Sequence, residues 1–504
     1  MEQTSEVWAK FLKAKKAKEN NNFISELEEA YKFCCPRRYN KDEKISKDVY
    51  DSTAIHAVQS RAASNHDALF PAFREWIGEE VVTANNGNKV EIEKQLKARK
   101  DAAHKAIELS NFHVEIEDVL TDALFSDGAL LVFSGTPENP LRFKAVDWCS
   151  FYSLNDLDGE PTNNFMMRKL TLKAIKFYWP KADMSLVKAK DDEEIDVMDC
   201  YTYDEISKEY TYSVFVDKDK IYSEPQKSSP WVVFNQRRRI NSKNGWGQVL
   251  DTMPNIRTTN KVVEDLLKHA AINLAGIWQA DDDGVLNTDN LVLTPGAIIP
   301  KAVGSNGLTP LHSKLDMNLT QFVLQEEKDN IKKNVQGSAL PDFNSGIRTA
   351  SEYQMRDAEM KKVEIPSMLQ LAQGSKRLIR RIFDILESDK MKSSEMFCQK
   401  VTVKGTVVQT ACTSPLIRAK SQLEMKTNLQ LLATAAQIFG QAAYEVIDVD
   451  GFLRDFYLQN NFSPDKIKKE EDVEKDRERN RQNDIEMAQA GVKRTQPNPG
   501  NVSL

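Results

Sequence analysis

The strings PNIRTTNKVVEDLLKHAAINLAGIW (residues 254–278) and NLTQFVLQEEKDNIKKNVQG (residues 318–337) decide the architecture. In the first, Val262, Val263, Leu266, Leu267, Ala270, Ala271 and Leu274 recur at spacings of three and four, the period of one helix face. Pro254 opens that helix, which is expected to run to about Trp278. The second string predicts a helix over 318–336 that stops at Gly337. Between them the period is lost, and Asp281-Asp282-Asp283-Gly284, Pro295-Gly296 and Gly304-Ser305-Asn306-Gly307 read as turns around a short strand at Leu291-Val292-Leu293. A loop containing Gly, Pro, Ser and Asn covers 337–348. Thr349-Ala350-Ser351-Glu352 then reads as a capping box, in which the Thr and Glu side chains satisfy orphan backbone donors reciprocally. The helix it starts reaches about Asp389. Pro366 inside it predicts a kink near 362–366, because Pro removes a donor and crowds the preceding turn.

Working outward, residues 5–32 carry Val7, Phe11, Leu12, Phe23, Leu27 and Tyr31 among many charges, an amphipathic helical pattern. A polar loop covers 40–48, a second helical region runs from about Thr53 to Trp76 with Pro71 interrupting it, and a third spans 90–126 with a break near Asn111. The apolar run Gly128 to Phe133 is a buried strand or the end of a helix. From there to about 240 the chain is strand-like: Phe143 to Val146, Tyr201 to Tyr203, Tyr210 to Val216 and Trp231 to Phe234 are β-branched and aromatic runs. Downstream, a strand pair is expected at 397–410 and a helical region from about Pro415. There Met425, Leu429, Leu432, Ala436, Phe439, Ala443 and Val446 alternate at spacings of four and three, a heptad seam. The same spacing fits a helix buried within one chain. A last helix near 464–490 balances its charges as a solvated face does, and the end of the chain is expected to be disordered.

The chain has 504 residues, of which 40% are hydrophobic and 29% charged, the composition of a folded chain rather than a disordered or collagenous one. That is about three domains' worth of material at roughly 150 residues each. No apolar run approaches the roughly 18 residues that span a bilayer, and the first residues, Met1 to Glu6, carry no signal-peptide pattern. Net charge is −6, the wrong sign for a protein that grips DNA by neutralising phosphates. The six cysteines (Cys34, Cys35, Cys149, Cys200, Cys398 and Cys412) show no CxxC spacing and read as buried, reduced thiols. The six histidines are scattered. Gly245-Trp246-Gly247 begins like a dinucleotide fingerprint, but Leu250 stands where the third glycine belongs. No GxxxxGK[ST] string occurs. Asp156-Leu157-Asp158-Gly159 and Asp281 to Gly284 lack the bidentate Glu of a calcium loop. No enzyme, cofactor or metal site is expected.

The order of elements resembles the portal, or head-to-tail connector, proteins of short-tailed bacteriophages. Ala68-Leu69-Phe70-Pro71 with Trp76 is similar to that family's ALFP…W segment, and Ser126 to Val132 to its GN-LL stretch. Asp158-Gly159 is similar to the D-x-x-G turn before the next strand. Gly245-Trp246-Gly247-Gln248-Val249-Leu250 stands where the family has a string opening the first channel helix, with Trp246-Gly247 in place of the usual Gly-Arg pair. Thr349 to Glu352 resembles the T-A-x-E start of the kinked helix. The resemblance covers about 50–480.

It implies an α+β portal fold, mainly helical, with a β-containing wing and a small clip, assembling into a ring that is usually a dodecamer. Residues 1–250 and 349–413 would form the wing, 251–277 and 318–336 the two stem helices, 278–317 the clip, 337–348 the tunnel loop, 414–490 the crown and 491–504 a disordered tail. Glu326, Glu327, Asp329, Lys332, Lys333, Asn344 and Arg348 would line the DNA channel and tunnel loop. Trp278, Leu291, Val292, Leu293, Ile298 and Ile299 would form the clip's docking patch, and Leu429, Leu432 and Phe439 the crown seam. Implied partners are further copies of the chain, double-stranded DNA, the terminase, a tail adaptor, and the major capsid and scaffold proteins, in a virion assembled in the bacterial cytoplasm and without a membrane. Two other classes fit part of the pattern: a capsid- or scaffold-associated structural oligomer with no channel, and a nucleic-acid-processing enzyme, which would need a carboxylate cluster that the sequence does not display.

Overall fold

The computed structural model describes residues 2–19, 23–39, 48–72, 76–83, 89–155, 161–187, 190–204, 209–237, 244–275, 278–279, 309–310, 317–337, 350–399, 407–412, 429–434, 437–438, 453 and 470–489. Helices and antiparallel strands are mixed, as an α+β chain requires. The described residues up to Leu69 are mainly helical: α1 (Glu2–Glu19), α2 (Phe23–Cys34), a short α3 (Pro36–Tyr39) and α4 (Thr53–Leu69). The pattern at 5–32 is thus two helices rather than one. The segment expected to be helical up to Trp76 instead ends at Leu69, before Pro71, and becomes a strand, β1 (Ile77–Thr83). Helices α5 (Lys89–Glu108) and α6 (Phe112–Ala123) follow, with the expected break near Asn111. Then come β2 (Asp127–Ser134), β3 (Leu141–Val146), β4 (Phe151–Asn155), β5 (Pro161–Thr171), α7 (Leu172–Tyr178), β6 (Glu194–Asp204), β7 (Glu209–Val216), β8 (Asp219–Gln226) and β9 (Trp231–Asn235). The second half holds α8 (Gln248–Ala275), β10 (Trp278–Gln279), β11 (Thr309–Pro310), α9 (Met317–Ile331), α10 (Ala350–Leu386), β12 (Val407–Cys412) and α11 (Glu470–Gln489).

Two compact units divide the chain: Met1–Ala72, Ser110–Gly135 and Leu141–Ile385 make one, and Phe73–Leu109, Thr136–Pro140 and Leu386–Leu504 the other. The first unit contains two sheets in the orders β3-β2-β9 and β4-β5-β6-β7-β8. Period-2 alternation explains how they stack. Along β6, Val197 and Tyr201 join Met166, Tyr212 and Val214 in a core shared with Ala129, Leu131, Val146, Trp231 and Val233 of the smaller sheet. The residues between, Met198 and Cys200, point the other way and pack with Phe165, Phe215 and the Phe11 and Ala14 of α1. The opposite face of the smaller sheet meets helices. Phe112 of α6 lies 5.0 Å edge-on to Phe143, and Gly374 of α10 leaves no space for a Cβ, which would stand 2.5 Å from the Phe234 ring. Arg377 donates to Val233 O, and Arg381 donates to Ser228 O, sealing α10 onto the sheet rim.

A charge pair sits inside the shared core. Arg168 bonds Asp199 across β5 and β6, and its guanidinium lies 5.3 Å from the Trp179 ring, whose Nε1 donates to the Tyr212 hydroxyl at 2.9 Å. Burial lifts the Asp199 carboxyl to about 6 against the pull of Arg168. Such a pair adds little net stability, but losing one partner strands the other.

The second unit pairs β1 with β12 antiparallel, Ile77 opposite Cys412 and Val81 opposite Val408. Of the local strand pair expected at 397–410, residues 400–406 lie outside the described residues. Residues 397–399 are not extended in a sheet, and 407–412 find their partner about three hundred residues earlier. Hydrogen-bonding demand decides pairing, and a free edge far away in sequence satisfies it as well as a neighbour. Arg99 of α5 pairs with Glu387 at 2.8 Å and donates to Gln399 O at 2.7 Å in the same unit. Free thiols are buried at Cys34, Cys200 and Cys398, while Cys149 is exposed, against the expectation of uniform burial.

Helix α2 is held by a buried polar clasp. Tyr31 stacks between Phe125 (4.1 Å) and Trp148 (5.1 Å), and its hydroxyl donates to Asp122 at 2.7 Å. Arg38 of α3 donates to the other Asp122 oxygen at 2.9 Å. Burial lifts the Asp122 carboxyl to about 7, despite Arg38 and the Tyr31 hydroxyl, with Asp147 and Asp118 adding repulsion. The folded chain therefore keeps a proton that the unfolded chain, with its carboxyl near 3.8, has released, so stability falls as pH rises from about 4 to about 7. At roughly 1.36 kcal/mol per pH unit, the effect reaches at most about 4 kcal/mol. Asp122→Asn should flatten this slope, read as urea midpoints followed by tryptophan fluorescence at several pH values. A variant keeping the wild-type slope would refute the assignment.

Candidate functional site: the stem hairpin and its base

Helix α8 begins at Gln248, not at Pro254, which lies inside it. The reason is tertiary. The first amides of a helix lack internal acceptors, and here the end of α6 supplies them. Gly247 N donates to Phe125 O at 3.0 Å and Val249 N to Leu124 O at 3.2 Å. A Cβ on Gly247 would stand 1.8 Å from Leu124 O, so only glycine allows this approach. Around it, Ser126 Oγ donates to Gly245 O, Gly245 N donates to Asp127 Oδ2, and Asn235 Nδ2 donates to Asp127 Oδ1. Trp246 Nε1 and Arg237 Nη1 each donate to one oxygen of Asp251, in the first turn of α8. The Gly245-Trp246-Gly247 string is thus a backbone bolt that seats α8.

Helices α8 and α9 pack antiparallel. Asn255, early in α8, donates to Glu327, late in α9, at 2.8 Å, while at the far ends Trp278 pairs with Pro310 and Gln279 with Thr309. Val249, Leu250, Met253 and Ile256 are buried in the core with α2 and α4. Beyond Asn260 no described side chain of α8 is buried: Val262, Val263 and Leu266 are half-buried and Leu267 is 54% exposed. On α9, Phe322 is 68% exposed.

The lower end of α9 is braced by α4. Ile331 and Val335 enter the same core as Ala57 and Val58. Residues Lys332–Gln336 form a π turn that ends at Gly337, whose φ of 80° explains the glycine. The buried Arg61 donates to Gln336 O, and Gln336 Nε2 donates to Ser60 Oγ at 2.7 Å. Lys328 pairs with Asp51 at 2.8 Å. Although burial opposes it, the bonds from Lys328 and Thr53 hold the Asp51 carboxyl below its ordinary value. Asn260 accepts from Tyr50 N and donates to Asp48 O, tying α8 to the same segment.

Of the residues expected at the channel, Glu326, Asp329, Lys332 and Lys333 are exposed, whereas Glu327 is half-buried against Asn255. Asn344 and Arg348 lie outside the described residues. So do Leu291, Val292, Leu293, Ile298 and Ile299; Trp278 is described only as the strand partner of Pro310. In the crown, Leu429 is exposed and Leu432 half-buried on a described helical stretch, and Phe439 lies outside, as do the capping residue Thr349 and the tail 491–504. Sequence reasoning missed Asp51, Ser60, Arg61, Asn260 and Gln336, whose pairings span more than two hundred residues. A Gly247→Ala chain should lose at least about 1–3 kcal/mol of stability, the range of overpacked sites, measured by thermal or urea melting. An unchanged melt would refute the bolt.

No curated protein matches the chain. A solved virion of a native gene transfer agent particle contains a chain of similar course, at 11% identity and a TM-score of 0.35, covering 83% of this chain and 90% of that one. Among the described residues no helix is long and apolar enough to cross a membrane. The family model of the bacteriophage head-to-tail connecting protein matches residues 9–466, nearly the whole chain, and the chain belongs to that family.

Proposed function

We propose that the chain is the subunit of a portal ring of the short-tailed-phage type, usually a dodecamer, seated at one capsid vertex. Double-stranded DNA is packaged through its bore by the terminase and later ejected. The role is mechanical and involves no catalysis. The observation that carries this reading is the stem hairpin, whose apolar side chains between Val262 and Leu267 and at Phe322 and Val323 have no full cover in one chain. Burying each large side chain against a neighbour contributes roughly 1.5–3 kcal/mol, and a closed ring repeats that gain at every interface. In this arrangement 278–317 is the clip that docks the terminase and then the tail adaptor, with Trp278, Leu291, Val292, Leu293, Ile298 and Ile299 as its patch. Residues 337–348 are the tunnel loop, with Asn344 among its polar groups and Lys332, Lys333 and Arg348 as cations at its base. Residues 414–490 are the crown, in which Leu429, Leu432 and Phe439 form a seam. Capsid and scaffold proteins surround the ring in the bacterial cytoplasm before the virion is complete.

Negative-stain microscopy of the purified chain tests this, with rings whose hole admits a duplex as the expected result. Closed assemblies without a hole would instead favour a structural oligomer with no channel. Replacing 338–347 with a short Gly-Ser linker should leave rings intact and lower the retention of packaged DNA. Normal DNA content in particles carrying that linker would remove the loop from the reading.

A further inference from the structure

On α9, Phe322, Glu326 and Asp329 follow one another at spacings of four and three, and all three are exposed, so they share one outward face. Glu327 is turned to the other side, toward Asn255. The face is an aromatic ring with two carboxylates, and Lys332 approaches Asp329 only to 3.8 Å. On α8, Thr258, Lys261, Asp265 and Lys268 recur at spacings of three and four and are also exposed. Both lysines are 60% exposed or more, although they bridge Glu264 and Lys261 also reaches Asp265.

We propose that neighbouring copies of the chain meet through these two different faces, the Phe322–Glu326–Asp329 face of one copy lying on the Thr258–Lys261 face of the next. The inference rests on the ring reading and says which surfaces close the ring. Rotation about a ring axis keeps equivalent residues at one height. Asn255 stands level with Glu327, so at about 1.5 Å per residue Lys261 lies about 9 Å along the hairpin from that level and Phe322 about 7.5 Å. Lys261 of the next copy therefore stands near the height of Phe322, whose ring attracts an ammonium, and about a turn and a half from Glu326. Asp265 lies a further turn away, opposite no acid of the α9 face. Two unlike faces make a head-to-tail contact, which does not stop at a dimer and builds a ring where the rotation between copies closes.

The test uses two full-length variants, Glu326→Lys with Asp329→Lys, and Thr258→Glu with Lys261→Glu. Each alone should lose closed rings in native mass spectrometry at low salt, while the far-UV circular dichroism spectrum stays at the wild-type value. Mixed, they should form rings again, with the two chains in equal number and an even copy count, because each reversed face now meets its complement only on the other variant. That rescue also rules out misfolding as the cause of the loss. Rings from either variant alone, or a mixture no better than its components, would overturn the pairing while leaving the ring reading standing. Rings of the Glu326→Lys, Asp329→Lys chain that newly bind DNA in a salt-sensitive way would place those positions on the bore. A wild-type chain that stays monomeric would overturn the ring reading and the pairing together.

Discussion

Two helix ends meet at the junction on which the rest of this chain depends. The last carbonyls of α6, at Leu124 and Phe125, face the first amides around α8, at Gly247 and Val249. A helix leaves acceptors unsatisfied at its C-terminus and donors unsatisfied at its N-terminus, and opposite partial charges gather at those ends. Here each end satisfies the other. Phe125 also stacks on Tyr31, and the next residues, Ser126 and Asp127, hold Gly245 and Asn235. Through Gln370, which donates to Asn235, the same knot reaches α10. Helix α8 is therefore directed by the body of the first unit, although its upper half has no core of its own.

Buried charge recurs where apolar layers would suffice for stability. Asp122 and Asp199 both lie in cores, each held by an arginine and surrounded by aromatic rings. Burial raises both carboxyls well above the ordinary range. Hydrophobic area would do the energetic work more cheaply. What buried polar groups add is direction: the Tyr31 hydroxyl donates to Asp122, and the Trp179 indole, just after α7, donates to the Tyr212 hydroxyl, so each bond favours one docking angle. An apolar face alone tolerates rotation and sliding.

Patterns of local period were legible in the sequence, and so were turns that demand glycine. The stop of α9's helical course at Gly337 fits its positive φ, and α6, β7 and β9 follow from local pattern, whereas the run at β2 fits a strand or a helix end alike. The excursion between α8 and α9 was visible as lost period. What stayed hidden is long-range in sequence. Strand β1 carries Glu79 and Glu80 among few apolar residues, and only its partner β12 makes it a strand. The start of α8 was misplaced because Pro254 is a strong local signal, while the true cap is a pair of carbonyls from α6. Gly245-Trp246-Gly247 was conspicuous as a string, but its meaning lies in the 1.8 Å that separates a would-be Cβ from Leu124 O. At the candidate site, Glu326 and Asp329 are exposed and Glu327 is not, and nothing in the sequence separates Glu327 from them except its angle around α9.

For the portal ring proposed above, an acidic net charge suits a DNA conduit. A wall that neutralised phosphates would release counterions and hold the duplex by that gain. A net charge of −6 gives no such general grip. On the proposed reading, the ring would be held by contacts between copies rather than by its cargo, and such contacts need surface that one chain leaves uncovered. The upper stem has this surface, since no described side chain of α8 beyond Asn260 is buried, while Leu267 and, across on α9, Phe322 are exposed. A hairpin with a complete core of its own would have nothing to offer a neighbour. A hairpin with no anchor would not present a defined face. Bolted at Gly247, braced by Ser60 and Arg61, and open above, this one satisfies both conditions.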